Sequence, residues 1–196
     1  MSPGRLLFMR HGESVYNTRA LCNGDPAVPV PLTPAGVAQA EEAAASLARE
    51  PLERIFTSEL PRTRETAAIV NRHHGVPVTG EPALNDIRSG FEGRPVAEYQ
   101  AAIAADPLGT RPPGGESLVE HAARVWAFLQ EMERRPEHTL LVVAHEETLR
   151  VVVARYRGLD LADSVGLSFA NCQVLRFQVP ETDSRGTSPS APPPAT

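Results

Sequence analysis

The sequence is short of several features that mark whole classes of protein, and cysteine is the first of them. Two cysteines, Cys22 and Cys172, occur among 196 residues, far apart and outside any C-x-x-C spacing. A disulfide framework or a zinc knuckle needs more cysteines at closer spacing. We therefore expect both thiols to lie in the core as small apolar side chains.

Clustered positive charge and long apolar runs are also missing. The formal net charge is -5 and the arginines are dispersed, whereas surfaces that bind nucleic acid or anionic lipid concentrate positive charge. No run approaches the roughly 20 apolar residues of a membrane-spanning helix, and "MSPGRLLFM" is too short for a signal-peptide core. We expect a cytoplasmic chain with neither a nucleic-acid nor a membrane partner.

The length and the 41% hydrophobic content are those of one globular domain with a real core. We assign this domain to residues 1–179. Residues 180–196 are rich in Pro, Ser and Thr and have almost nothing apolar to bury, so a disordered tail is predicted there.

Strand and helix patterns alternate along the domain. Strands are predicted at "RLLFM" (5–9), "RIFTS" (54–58) and "HTLLVVA" (138–144), the last continuously apolar as in a sheet that is covered on both faces. Thr33 followed by proline predicts the start of a helix over 34–49. A capping box from Ser117 to Glu120 opens another helix. The alternation predicts an α/β sandwich.

Polar residues follow the predicted strands directly. Arg10 and His11 come after the first strand and His145 after the third, where α/β sheets present ligand-binding groups at their carboxyl edge. Ser58 ends the second strand and is predicted to cap a helix whose first turn carries Arg62, near N–H groups that favour an anion. Two arginines and two histidines should therefore converge.

This set of residue types is suited to phosphoryl transfer. Two guanidinium groups can hold the peripheral phosphoryl oxygens in bidentate fashion. Between such cations one imidazole can stay neutral and offer a lone pair to phosphorus, while a protonated second histidine would donate to the transferring group. A carboxylic acid near the phosphate would have a raised pKa and can protonate the leaving alkoxide. No metal or other cofactor is expected.

Four segments together carry a family resemblance. "RHGES", "TSELPRTRETA", "PGGES" and "VAHEETLR" occur in the order, and beside the elements, typical of the histidine phosphatase superfamily. The chain resembles its small phosphatase branch over about residues 5–177. The resemblance implies a phosphoglycerate mutase-like fold, a three-layer α/β/α sandwich with a mostly parallel central sheet.

The resemblance also implies roles for individual residues. His11 would be the nucleophile that accepts the phosphoryl group, with Arg10, Arg62 and His145 completing the pocket. Two residues would be secondary phosphate contacts: Asn17, from the run R-H-G-x-[ST]-x-x-N, and Asn23. Gly12 would form a turn that lets the backbone approach the ligand.

The proton donor of the family lies in a segment similar to L-x-E-x-x-x-G-x-W-E-G. Here the segment is "LNDIRSGFEG" (84–93), in which Asp86 falls on the acid position. The second half is one residue shorter than the family pattern and has Phe91 in place of tryptophan. Glu13 and Glu92 are therefore the alternative acids.

Two features bear on other chemistry. Glu146 replaces the glycine that commonly follows the second histidine, and we expect it to narrow the pocket or to repel highly anionic substrates. A zinc helix of the H-E-x-x-H type is excluded because Leu149 takes the place of its second histidine. The remaining metal alternative is a clamp of His11, His145 and Asp86, which the flanking arginines would oppose.

The favoured function is metal-independent hydrolysis of phosphomonoesters through a phosphohistidine. The alternatives are a phosphoglycerate mutase-type phosphotransferase and a non-catalytic protein that binds a phosphate ligand. Specificity is expected from segment 86–115, where Arg88, Arg94 and Tyr99 either meet a second anionic group or a ring, or lie on the surface. A homodimer is expected from family habit alone. The remaining histidines are expected to be structural, with His121 and His138 on the surface.

Overall fold

A central five-stranded sheet organises the chain. The computed structural model describes residues 4–179, and the predicted tail at 180–196 lies outside them. The strands are β1 (Arg5–Arg10), β2 (Arg54–Thr57), β3 (Val78–Gly80), β4 (Thr139–Ala144) and β5 (Val174–Gln178). Their order is β3-β2-β4-β1-β5, with β5 antiparallel to β1 and the other pairings parallel. The three predicted strands are confirmed, whereas β3 and β5 are short, partly exposed edge strands that carry no strong apolar pattern.

The helices are α1 (Pro34–Leu47), α2 (Pro61–Asn71), α3 (Val96–Ile103), α4 (Leu118–Met132), α5 (Glu146–Arg157) and α6 (Leu161–Ser164). Thr33 caps α1 by accepting a hydrogen bond from the Gly36 N–H at 3.0 Å, and the capping box of α4 is present, as predicted. The predicted cap of α2 is wrong. Leu60, not Ser58, precedes its first residue, and Ser58 is used elsewhere.

Helices cover both faces of the sheet because successive strand side chains point to opposite sides. Leu6 and Phe8 pack with α4 and α5 in one apolar cluster, and Leu7 and Met9 pack with α1 and α2 in a second. This is the predicted three-layer α/β/α sandwich with a mostly parallel sheet.

Two further observations concern residues 4–179. Cys22 and Cys172 are both free thiols, the first buried and the second half-buried. In the same residues, no helix is both long enough and apolar enough to cross a bilayer.

Candidate active site

The register of the two central strands brings the two histidines together. Arg10 of β1 pairs with Ala144 of β4, so the residues that follow, His11 and His145, leave the sheet side by side. Their ring centroids are 5.2 Å apart, and both side chains are buried. Arg62, at the second position of α2, is buried against both rings.

His11 has a defined tautomer. Its Nδ1–H donates to the Gly12 carbonyl at 2.7 Å, and its Nε2 accepts from Arg62 Nε at 3.0 Å. Since a guanidinium can only donate, the lone pair of the neutral ring lies on Nε2. Burial, and then the charge of Arg62, lower the pKa of His11 well below its usual value. His11 is therefore neutral at neutral pH, as a nucleophile must be.

Close packing on α1 accounts for glycine at position 12, and the expected approach of its backbone to a ligand stays a prediction. A Cβ at this position would lie 2.5 Å from the Gly36 carbonyl oxygen, so the close approach is to the first turn of α1. The missing side chain lets the loop that carries His11 pack directly on that helix.

His145 is held between Arg62 and Ser58. Arg62 Nη2 donates to its Nδ1 at 3.0 Å, so the proton of the neutral ring lies on Nε2 and is donated to Ser58 Oγ at 2.9 Å. Burial, and then Arg62 and His11, lower the pKa of His145. The ring is therefore neutral here rather than protonated.

Ser58 is a site residue that the sequence reasoning interpreted as a helix cap. The available signal was its position: it directly follows β2, as His11 follows β1 and His145 follows β4. Thr63 Oγ1, 2.7 Å from the Ser58 hydroxyl, helps to fix its orientation.

Arg62 also contacts Asn23 and Asp86. Its Nη1 donates to Asn23 Oδ1, and its Nη2 donates to Asn23 O at 2.9 Å and to Asp86 Oδ2 at 2.8 Å. The Asn23 amide nitrogen donates to Glu92 Oε1 at 2.8 Å. Both polar ends of the Asn23 side chain thus orient protein groups, and its contact with phosphate stays a prediction.

Asn17 also lies in the pocket wall. Its Oδ1 accepts hydrogen bonds from the Ser14 N–H at 2.9 Å and from Ser14 Oγ at 3.0 Å. Because the amide oxygen is occupied in this way, the amide NH₂ is the end that can meet a phosphate oxygen.

The three candidate acids lie in different environments. Glu13 accepts a hydrogen bond from Thr33 Oγ1 at 2.7 Å, at the start of α1. Glu92 accepts from the N–H groups of Gly24 at 2.8 Å and Asp25 at 3.0 Å. Of the three, Asp86 is the one found among the pocket-lining residues of segment 4–179.

The environment of Asp86 is suited to an acid. Burial, and then the negative charge of Glu147, raise its pKa to about 7, against the opposing effect of Arg62. Its Oδ2 lies 3.4 Å from His145 Nδ1. The raised pKa favours a protonated Asp86 more than for an ordinary carboxyl, and the side chain lies beside Arg62 and His145.

Arg10 is paired rather than exposed to solvent. Its Nη1 lies 2.5 Å from Glu146 Oε2 and donates to the Phe169 carbonyl at 2.5 Å. Glu146 also accepts from Arg150 at 3.0 Å. The residue that replaces the family glycine is thus an ion-pair partner that holds Arg10 at the rim of the site.

A cavity of about 340 Å³ opens above this cluster. Its lining is mixed. The polar members include Tyr16, Ser89 and Gln100, and the apolar or aromatic members include Leu21, Ile87, Val96, Tyr99, Ile103, Pro107, Leu118 and Val165. Of the three residues for which a substrate contact and a surface position were both left open, Tyr99 lines the cavity, and Arg88 and Arg94 are not among its lining residues. Their side chains are exposed and lie near Glu116 and Glu98 respectively. Glu147 and Arg150, which the sequence reasoning missed, line it from α5.

A buried polar cluster supports the loop that carries Asp86. Arg124 donates to the carbonyls of Ala83 at 2.7 Å and Asp86 at 3.1 Å, and to Glu116 at 2.6 Å. His121, expected on the surface, is fully buried here because its Nδ1 accepts from Arg124 at 2.8 Å. Burial raises the pKa of Glu116, but contacts with His121 and Arg124 outweigh it and leave the net pKa well below its usual range.

Arg124→Met should destabilise the protein by about 2 kcal/mol, because it leaves the Glu116 carboxylate buried without its main partner. Urea unfolding measures the loss. In the double variant Glu116→Gln/Arg124→Met the stranded charge is gone, so part of the stability should return. A single variant within about 0.5 kcal/mol of wild type would mean that the cluster does not support this loop.

Arg62 contacts all three residues of the metal clamp considered above. Its guanidinium bonds to His11, His145 and Asp86, and a cation in that position opposes the binding of another. Within the part of the chain that the structure describes, no group of three or more His, Cys, Asp or Glu side chains is arranged to hold a metal ion.

Comparisons of sequence and of structure with known proteins agree on one family. The family model described as the histidine phosphatase superfamily (branch 1) matches residues 6–187. The chain is 33% identical over 160 residues to the adenosylcobalamin/alpha-ribazole phosphatase of Salmonella typhimurium, covering 77% of this chain and 78% of that protein. It is 27% identical over 187 residues to a probable phosphoglycerate mutase GpmB of Yersinia pestis, covering 91% and 86%. The crystal structure of the alpha-ribazole phosphatase from Shigella flexneri superposes with a TM-score of 0.80 at 26% identity, covering 88% of this chain and 89% of that one.

Proposed function

The chain belongs to the histidine phosphatase superfamily, branch 1, and from this membership we propose that it hydrolyses phosphomonoesters through a phosphohistidine formed on His11. One observation carries the proposal. The neutral, buried His11 directs its Nε2 lone pair at the guanidinium of Arg62, where a phosphoryl group would be held.

In the first step the Nε2 lone pair attacks phosphorus, and the bond from phosphorus to the ester oxygen breaks. Arg62 exchanges its contact with Nε2 for contacts with the phosphoryl oxygens, whose charge it is suited to hold. Arg10 Nε is buried and donates to no group within residues 4–179, so a donor is left for the same oxygens. The dianion also raises the pKa of His145, which favours a second proton on Nδ1 and makes it a further donor.

Asp86 completes the reaction as acid and then base. Its carboxylic acid proton passes to the leaving alkoxide in the first step. In the second step the carboxylate takes a proton from water, which attacks phosphorus as the bond to Nε2 breaks. Inorganic phosphate leaves, and His11 and Asp86 return to their starting protonation states.

The test is phosphate release from a panel of phosphomonoesters, including an aryl phosphate and 3-phosphoglycerate, in excess EDTA. Release that persists in EDTA, with one phosphoryl group found on His11 after an alkaline quench and mass spectrometry, is the expected result. Loss of activity in EDTA that Mg²⁺ or Zn²⁺ restores would contradict the metal-independent mechanism.

A mutase is the second candidate, favoured by the similarity to the Yersinia pestis protein. In a mutase the phosphohistidine returns its phosphoryl group to a sugar acid instead of to water. Interconversion of 3- and 2-phosphoglycerate by this chain, faster than release of phosphate from either, would select the mutase.

A further inference from the structure

Helix α3 turns an apolar face toward the cavity. Val96, Tyr99 and Ile103 are spaced three and four residues apart and so lie on one side of the helix, and all three line the cavity, together with the polar Gln100. None of the residues of α3 is buried. This apolar face therefore packs against no core, and an apolar or ring-shaped group in the cavity would cover it.

The first turn of α5 makes a second wall of the cavity acidic. Glu146 forms ion pairs with Arg10 and Arg150. Glu147 has a single hydrogen-bond partner within residues 4–179, Arg150 Nη1 at 3.3 Å. Glu147 lines the cavity together with Asp86 and Tyr99, and its charge is, after burial, the next cause that raises the pKa of each of them. Glu147 thus presents negative charge to the outer cavity.

The three arginines that line the cavity, within residues 4–179, already have interaction partners or a proposed role. Arg62 and Arg10 belong to the phosphate site described above. Arg150 donates through Nε to Leu167 O at 2.8 Å, through Nη1 to Glu147 at 3.3 Å and through Nη2 to Glu146 at 3.0 Å. A second anionic group on the substrate would face the Glu147 carboxylate, and within residues 4–179 no lining cation is left to pair with it, so such a substrate should be rejected.

We propose that the substrate class is a phosphomonoester whose phosphoryl group is its one anionic group, and whose alcohol part combines an apolar or ring-shaped body on α3 with a cationic or hydrogen-bond-donating group on Glu147. The inference rests on the proposed phosphatase function. It disfavours esters with an additional carboxylate, such as the phosphoglycerates.

Three phenyl phosphates that differ mainly in charge test the role of Glu147. They carry a 4-aminomethyl, a 4-hydroxymethyl or a 4-carboxymethyl group. For wild type we expect kcat/KM to fall in that order. In Glu147→Gln the ratio of the aminomethyl to the carboxymethyl ester should fall about tenfold, the effect of one partly screened charge. A ratio unchanged by the substitution, or a wild type that prefers the carboxymethyl ester, would overturn the proposal.

Glu98→Gln is the matched control. Glu98 is an exposed glutamate of α3 that pairs with Arg94 and does not line the cavity. Its substitution should leave the ratio at the wild-type value. An equal fall in both variants would assign the effect to overall charge and count against Glu147 as the recognising group.

Ile103→Ala tests the apolar wall. Because α3 buries none of its residues, the variant is expected to fold. It should lower kcat/KM for the 4-hydroxymethylphenyl ester about fivefold, the effect of a lost apolar contact, and leave ethyl phosphate nearly unchanged. An equal loss on both esters would reject α3 as the wall that recognises the substrate.

Binding separates this inference from the proposed function. The same three phenyl esters are titrated calorimetrically into His11→Ala, which keeps the outer cavity. If wild type hydrolyses none of them but Kd rises in the order aminomethyl, hydroxymethyl, carboxymethyl, the proposed function fails. The inferred ligand preference of the cavity then stands. If wild type hydrolyses them with the opposite preference, the substrate class fails and the phosphatase stands.

Discussion

His11→Ala should reduce the hydrolysis of every phosphomonoester by at least about four orders of magnitude, because it removes the atom that accepts the phosphoryl group. The loss should be similar for aryl and alkyl esters, since attack on phosphorus is common to both. Single-turnover phosphate release with the best ester of the panel measures it. No phosphoryl group should be found on the variant after an alkaline quench.

Two controls show whether the loss of activity is specific to the His11 side chain. His73→Ala makes the same substitution at an exposed histidine and should retain wild-type activity. Thermal unfolding of His11→Ala shows whether the variant folds, and removing a buried imidazole that bonds to Arg62 should not prevent it. A folded variant that keeps more than about 1% of the activity would place the nucleophile elsewhere.

Asp86→Ala should separate esters by their leaving groups. Alkyl esters need a proton on the departing oxygen, so their kcat should fall about 10²- to 10³-fold, whereas an activated aryl ester such as 4-nitrophenyl phosphate should fall about tenfold or less. Asp86→Asn separates the loss of the acidic proton from a change of size, since it keeps the shape of the side chain, and it should show the same split between alkyl and aryl esters. Equal losses on both ester types would move the role of acid to another residue.

Glu13→Gln and Glu92→Gln are the matched comparisons for Asp86. Glu13 bonds to Thr33 at the start of α1, and Glu92 holds the loop at Gly24 and Asp25. Neither substitution should produce the split between alkyl and aryl esters. A split in Glu92→Gln that is absent from Asp86→Ala would reverse the assignment.

The pH profile for alkyl esters gives a further test of Asp86 as the acid. Burial raises the pKa of Asp86 to about 7, and the acid must be protonated to act, so kcat/KM should decline as the pH rises above about 7. His11 must be neutral, and its pKa is lowered, so loss at the acidic side should begin only well below pH 6.5. In Asp86→Ala the alkaline decline should disappear, and its persistence at the same pH would show that another group titrates there.

The fold and the cluster of two arginines and two histidines were largely predictable because both depend on short-range patterns. A continuously apolar strand such as β4 must be covered on both faces, and parallel strands place the residues that follow them at one edge. The positions of Arg10, His11 and His145 follow from that rule. Ser58 followed the same rule, but its residue type is also typical of helix caps, and local propensity alone could not choose between the two.

Contacts between distant segments were not available from the sequence. Glu92 is one of the alternative acids predicted from the sequence, and its three hydrogen bonds to the loop at residues 23–25 could not be read from the sequence. His121 looked exposed, although Arg124 and Glu116 enclose it. In each case the decisive partner is remote in the chain or on the next helical turn, and its geometry is set by packing.

The sequence by itself determined the layered fold and the chemistry at the strand ends, because periodicity and residue type act locally. Only the tertiary structure decided which carboxylate lies beside Arg62 and His145 and which charged side chains line the cavity. Glu146 and Glu147 are adjacent in the chain and both line the cavity, yet Glu146 pairs with Arg10 and Arg150, whereas Glu147 pairs with Arg150 alone within residues 4–179. That difference depends on where the side chains of separate elements meet, since electrostatic energy depends on distance and burial rather than on order in the chain.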